Sequence, residues 1–139
     1  MKLFIYSVGK TKESWLEEAL FLYIKRLKPV IETQLIIAKS NEQLLSLIQK
    51  ETHLIGLDPE GKEMRSEEFS SFLMKSLEKG GAKTSFLIGG AEGIPNTLKK
   101  NIPLISLSKM TFTHQMARLI LMEQIYRGFE IAKGSEYHK

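Results

Sequence analysis

Five short apolar runs, at residues 3–8, 31–38, 52–58, 86–88 and 102–107, are separated by segments whose apolar residues recur at helical spacing. This alternation is the strongest constraint in the chain. A strand, a helix and a further strand return to one sheet only if the strands run parallel and the helices lie over them. The expected fold is therefore α/β, a parallel sheet covered on both faces, with the loops that leave the strands gathered along one edge. At 139 residues the chain is long enough for one domain with a real core and short for two, so residues 1–139 are read as a single domain.

Cysteine is absent, which excludes disulfides, thiolate zinc sites, iron–sulfur clusters and a thiol nucleophile, and fits a reducing cytoplasm. No apolar run reaches the length of a signal-peptide core or a bilayer span, so a cytoplasmic protein with no membrane partner is expected. A formal charge of +4 favours polyanions mildly. A solvated basic surface gives the same figure.

Along the chain, Gly9-Lys10-Thr11 follows the first strand but lacks the earlier glycine of a P-loop, since Phe4 stands there. Lys10 and Lys12 are then solvated charges or phosphate contacts. Ser14-Trp15-Leu16-Glu17 reads as a capping box opening a helix that Pro29 stops, with Leu16, Ala19, Leu20, Tyr23, Ile24 and Leu27 on its apolar face. The run at 31–38 alternates apolar and polar residues, as a strand near a sheet edge does. Ser40 caps a short helix. The third strand ends at Asp58 and leaves through a turn, Pro59-Glu60-Gly61-Lys62; Asp58 is either a ligand contact at a strand end or a turn residue bonding its own backbone. Ser66 caps the next helix, which ends at Gly80-Gly81.

Phe86-Leu87-Ile88 then runs into Gly89-Gly90-Ala91-Glu92-Gly93. Three glycines in five positions let backbone turn tightly or approach a ligand closely, although a plain strand-to-helix connection would use them too. After the fifth strand, Ser108-Lys109-Met110-Thr111-Phe112 forms another strand-end loop, and Thr113 caps a long helix running to about Ala132. Its apolar residues, Met116 to Ile131, surround nearly the whole helical wheel, which predicts a dimer interface. Glu123 and Arg127 form an i,i+4 pair, and the tail closes with Tyr137-His138-Lys139, a pattern compatible with a disordered end.

Leu57-Asp58, Gly89 to Gly93 and Leu107 to Phe112 thus carry the unusual residues. Converging on one crevice, they would offer backbone amides, carbonyls and apolar side chains, which suit a purine and a thioether better than a triphosphate. The dinucleotide fingerprint G-x-G-x-x-G and the nucleophile elbow G-x-S-x-G are both missing. No metal site is expected, because His53, His114 and His138 are scattered.

Taken together, Leu57-Asp58-x-x-Gly61-Lys62, Leu87-Ile88-Gly89-Gly90-x-Glu92-Gly93, Ser106-Leu107-Ser108-x-Met110-Thr111-Phe112, His114, Arg118, Glu123-Gln124-x-Tyr126-Arg127 and Tyr137-His138 resemble the ribosomal RNA large subunit methyltransferase H family over essentially the whole chain. These are small SPOUT-type enzymes that methylate N3 of a pseudouridine in 23S ribosomal RNA. The resemblance implies a SPOUT fold with a carboxyl-terminal trefoil knot, a homodimer acting on the large subunit or the assembled 70S ribosome, and S-adenosyl-L-methionine as methyl donor. Carried onto matching positions, it implies cofactor contacts at Leu57, Gly89, Leu107, Ser108, Lys109, Met110, Thr111 and Phe112. It further implies that the tail Tyr137-His138-Lys139 closes over the neighbouring subunit's cofactor, with catalytic roles for His138, Tyr137 and, on the last helix, Arg127. Arg127, or alternatively Arg118, would position the RNA. This chain departs from the family pattern at Ala91, Thr113 and Gln115, which stand where prolines are expected, and at Lys139, in place of an arginine. It is also shorter and less basic between Ile37 and Leu54.

Overall fold

A computed structural model describes residues 1–139. Five parallel strands form one sheet in the order β2-β1-β4-β3-β5: β1 (Lys2–Val8), β2 (Glu32–Ala38), β3 (Leu54–Glu63), β4 (Lys83–Ile88) and β5 (Leu104–Ser106). Alternate side chains on a strand point to opposite faces, and here both faces are apolar. Leu3, Ile5, Phe86 and Ile88 meet the core beneath α1 (Ser14–Leu27), α3 (Ser66–Gly80) and α5 (His114–Lys133). Tyr6, Val8 and Leu87 meet a smaller core with Leu44 of α2 (Asn41–Leu47), flanked by Leu98 of α4 (Asn96–Lys99). The alternating pattern at 31–38 is indeed an edge strand. No helix is long and apolar enough to cross a membrane.

Several local expectations need correction. The capping box at Ser14 does not form: Glu13 occupies the N-cap position without a side-chain bond, and Ser14 is already helical. Likewise Arg65, not Ser66, precedes α3; the Glu68 carboxylate accepts the Arg65 backbone N–H, while the Ser66 hydroxyl donates to Gln124 on α5 at 2.8 Å. Ser40 and Thr113 do cap their helices, accepting from the backbone N–H of Gln43 and Met116. The strand β3 does not end at Asp58. Leu57 and Lys62 both stand opposite Ile105, so residues 58–61 bulge outward and the strand resumes beyond them. The fifth strand is shorter than the apolar run, because Pro103 lies outside it and contributes only its carbonyl, to the N–H of Gly56.

The apolar circumference of α5 is largely absorbed by its own chain. The helix lies between α1 and α3, so Leu121, Met122 and Ile125 are buried, Leu119, Ile120, Tyr126, Phe129 and Ile131 are partly buried, and Met116 alone of its large apolar side chains is exposed. The wheel of α5 therefore does not by itself require a second subunit. Beyond α5, Gly134 takes a left-handed conformation (φ 77°) that reverses the chain, a geometry favouring glycine because it has no Cβ. The tail is consequently not a frayed end. It folds back on α5, where the Tyr137 ring meets Tyr126 edge-on at 4.8 Å between centroids.

Candidate cofactor pocket and tail cluster

At the carboxyl ends of the strands lies a cavity of about 580 Å³, within the usual size range for small-molecule sites. Three strand ends border it: Leu57 to Pro59 after the first half of β3, Ile88 to Ala91 with Gly93 after β4, and the loop from Ser106 through Phe112 after β5. The first turn of α5 closes one side with His114, Gln115 and Ala117.

The glycine turn is dictated by crowding. A Cβ placed on Gly89 would stand 2.4 Å from the carbonyl carbon of Gly93 and 2.6 Å from the Ile94 nitrogen, so only glycine fits. Gly93 donates its N–H to the Gly90 carbonyl, and Asn41 of α2 donates to the Gly93 carbonyl at 3.2 Å. On the opposite wall, the Ser108 hydroxyl accepts the Met110 N–H at 2.9 Å and the Ser108 carbonyl accepts the Ser106 hydroxyl at 3.0 Å. Ser108 thereby shapes its own loop. Met110 and Phe112 remain exposed around the mouth.

Asp58 is buried in this wall and takes the turn role, with an ion pair besides. Its Oδ1 accepts the Glu60 N–H at 2.9 Å, an Asx turn, and its Oδ2 pairs with Lys99 of α4 at 2.6 Å. Burial opposes its ionisation, but Lys99 and the Glu60 amide outweigh that and hold the carboxyl below its usual range. His114 is held below its ordinary range by burial and by the nearby Arg118 and Lys12 charges. An imidazole in that setting stays neutral.

Of the residues expected to meet a cofactor, Leu57, Gly89, Leu107, Ser108, Met110, Thr111 and Phe112 all line this one cavity. Lys109 does not; its side chain points outward towards Glu63, 4.0 Å away. Pro59, His114, Gln115 and Ala117 were absent from the expected set. The Thr113 cap was the available signal, since it places the first turn of α5 directly after the loop. The donors present suit adenosyl-sulfonium: close backbone at Gly89 and Gly90 for a flat base, and Leu57, Leu107 and Met110 as apolar surface.

Arg118 is not available to RNA. It is fully buried, and its guanidinium donates to the Ser7 hydroxyl (2.7 Å), the Thr11 hydroxyl (2.8 Å), and the Val8 (2.9 Å) and Gly9 carbonyls. Burial brings its pKa down to about 10, so it remains charged at neutral pH. Its work is to fasten the β1–α1 loop to α5.

Arg127, Tyr137 and His138 are brought together, but away from the pocket of their own chain. Arg127 donates to both oxygens of Glu123, at 3.2 and 2.8 Å, and the Tyr137 hydroxyl donates to Glu123 at 2.7 Å. Burial, the Glu123 carboxylate and Tyr23 push the Tyr137 phenol well above its usual range. His138 lies between Arg127 Nη1 (3.0 Å from Nδ1) and Glu67 Oε1 (2.8 Å from Nε2). From His114 at the pocket to Arg127 is thirteen helical residues, roughly 20 Å along the axis.

A family model described as a predicted SPOUT methyltransferase matches residues 1–138. A "Ribosomal RNA large subunit methyltransferase H" of Protochlamydia amoebophila (strain UWE25) is 54% identical over 139 residues, covering 100% of this chain and 99% of the relative. A relative of the same name from Carboxydothermus hydrogenoformans is 35% identical over 159 residues, with both chains covered completely. Among solved structures, a probable methylase family protein from Haemophilus influenzae Rd KW20 superposes with a TM-score of 0.59 at 10% identity, over 99% of this chain and 70% of that one. The SpoU methyltransferase AviRb from Streptomyces viridochromogenes, solved with AdoMet, gives 0.50 at 12% identity, over 89% and 56%. Likenesses this remote in sequence speak to the fold alone.

Proposed function

This chain belongs to the SPOUT methyltransferase family, and from that premise we propose that it methylates N3 of a pseudouridine in 23S ribosomal RNA. S-adenosyl-L-methionine, the family's methyl donor, supplies when bound an electrophilic methyl group on sulfur. The observation that carries the reading is the meeting of Leu57, Gly89 and the Leu107 to Phe112 loop, from three separate strand ends, around one cavity. Those residues hold and orient the donor; Lys109 can contribute only backbone there.

The target nitrogen must lose its proton as the methyl group arrives. Catalysis then needs an in-line approach and a group that takes the proton or stabilises the anion. His138 is assigned the proton, Arg127 the RNA phosphate or the developing anion, and Tyr137 the anchoring of the tail on Glu123. Since these three lie roughly 20 Å along α5 from their own pocket, the reading makes the enzyme a homodimer in which each tail serves the partner's cavity. Met110 and Phe112, exposed at the mouth, and Met116 on the first turn of α5 are the apolar surface that a second copy would cover. Residues 1–139 act as one methyltransferase domain on the large subunit or 70S ribosome in the cytoplasm. Threading of the carboxyl-terminal segment into a trefoil knot belongs to the same reading: the chain leaves β5 at one sheet edge and α5 crosses back to pack on α1.

The test is methyl transfer from labelled S-adenosylmethionine to ribosomes of a strain lacking the protein, followed by mass mapping of the 23S RNA. Modification at N3 of one pseudouridine is expected. Calorimetric binding of the donor with no transfer to ribosomes would refute the assignment.

A further inference from the structure

The contacts of His138 determine which of its nitrogens carries the proton. Arg127 can only donate a hydrogen bond, so Nδ1, 3.0 Å from its Nη1, must be the accepting, unprotonated nitrogen. The proton of the neutral ring therefore sits on Nε2, which donates to Glu67 Oε1 at 2.8 Å. An arginine on one side and a carboxylate on the other admit a single neutral tautomer. Glu67 is in the first turn of α3, more than seventy residues away in sequence and outside the cofactor pocket.

We propose that Glu67 is a positioning residue for methyl transfer: by accepting the Nε2–H it orients the His138 ring with Nδ1 as the basic nitrogen, and it stabilises the imidazolium once that nitrogen is protonated. The inference rests on the reading of His138 as the group that takes the N3 proton. In the step itself the N3–H bond breaks and its proton passes to Nδ1, displacing Arg127 Nη1, which then faces the developing anion while Glu123 keeps the Nε and Nη2 donors. N3 forms its bond to the methyl carbon as the carbon–sulfur bond breaks, with the sulfur keeping the electron pair. The imidazolium, held by Glu67, later returns its proton to solvent. A carboxylate behind an imidazole fixes tautomer and orientation in this way in other catalytic settings.

The charged groups around the ring are consistent with this assignment. Arg65 lies 3.6 Å from Glu67, and Glu123 is occupied by Arg127 and Tyr137, with Tyr23 beside Tyr137. Glu67 is thus the carboxylate left to His138. The hydrogen bond from His138 and the backbone hold the Glu67 carboxyl below its usual range, so it is ionised where the enzyme works.

The experiment uses the full-length protein and Glu67→Gln, with Glu67→Asp as the conservative variant. Nitrogen-15 shifts of the His138 ring should report the Nε2–H tautomer in the native protein, and the Nε2–H proton resonance should move upfield in Glu67→Gln, where an amide oxygen replaces the carboxylate as acceptor; an unchanged resonance would overturn the inference. On ribosomes, Glu67→Gln should lower kcat roughly tenfold or more, move the acidic limb of the pH profile to lower pH, and leave donor affinity unchanged. Glu67→Asp should recover part of the rate. A parallel His138→Ala protein separates the two claims. Full turnover in His138→Ala would remove the proton-accepting role on which the catalytic consequence depends, while the Nε2–H resonance still judges the Glu67 contact. A further loss when Glu67→Gln is added to His138→Ala would show that Glu67 does not act through the ring, and would overturn the inference.

Discussion

Replacing Arg118 by methionine tests whether this buried cation holds the pocket together. The side chain of Met is similar in length and fills most of the space, so the main change is the loss of the donors. Ser7, wholly buried, loses its partner, as do the Val8 and Gly9 carbonyls, and the Thr11 hydroxyl loses its bond as well. A buried polar group left unpaired costs about 1–3 kcal/mol, whereas removing a buried charge returns part of that through relieved desolvation. The net loss expected is about 3 kcal/mol, a melting temperature lower by roughly 6–12 °C for a chain of this size. Urea denaturation followed by circular dichroism measures the first quantity and a thermal scan the second. Arg118→Lys should be no better, since an ammonium cannot reach four acceptors fixed for a planar fork. Because the first turn of α5 forms one wall of the pocket, donor affinity should fall in both variants. If Arg118→Met were within 1 kcal/mol of the native protein and bound S-adenosylmethionine equally well, the guanidinium would not be what fastens the β1–α1 loop to α5.

Other substitutions probe separate parts of the molecule. Gly89→Ala drives a methyl group into the Gly93 backbone, so calorimetry should register at least roughly a tenfold loss of donor affinity; native affinity would contradict the assigned crowding. Lys99→Met removes the partner of Asp58, and about 1–3 kcal/mol should be lost at pH 7. The folded pKa of Asp58 is below its unfolded value near 4, so the stabilisation from this pair is present above pH 4 and disappears as pH falls through the folded value. The native protein should therefore lose more stability than Lys99→Met on acidification, and parallel curves of urea midpoint against pH would refute the pairing. Tyr137→Phe keeps the ring on Tyr126 but deletes the 2.7 Å bond to Glu123. Hydrogen exchange should show the tail loosened by about 1 kcal/mol with donor binding unchanged, and an equally protected tail would dismiss the bond as an anchor.

Most of the sheet and the location of the pocket could be read from residue order, because both depend on local periodicity. Alternating strand and helix patterns imply parallel strands, parallel strands put their exits on one side, and the odd residues at 57–58, 89–93 and 107–112 are all exits. Errors arose where distant partners decide. Asp58-Pro59-Glu60-Gly61 looks like a closing turn locally, and only Ile105 reveals that the strand continues. Ser14 and Ser66 are good caps by type, yet the helices begin one residue earlier, and Ser66 has a better use on α5. An arginine on a helix is normally expected in solvent; the acceptors that bury Arg118 lie more than one hundred residues earlier in the chain. The ordered tail did have a local sign in Gly134. Its partners on α5 and α3, Glu123 and Glu67, did not.

The position of β1 in the middle of the sheet bears on how the molecule comes into being. This strand needs two neighbours, and the second of these, β4, begins eighty-one residues after β1 does, at Lys83. Until that segment leaves the exit tunnel, one hydrogen-bonding edge of β1 has nothing to pair with, and α5, which must then close over α1, is still unmade. Pairings between strands this far apart in the chain imply slow acquisition of the native state. The cavity, bordered by the exits of β3, β4 and β5 and by the first turn of α5, is therefore complete only once the last of these segments has packed.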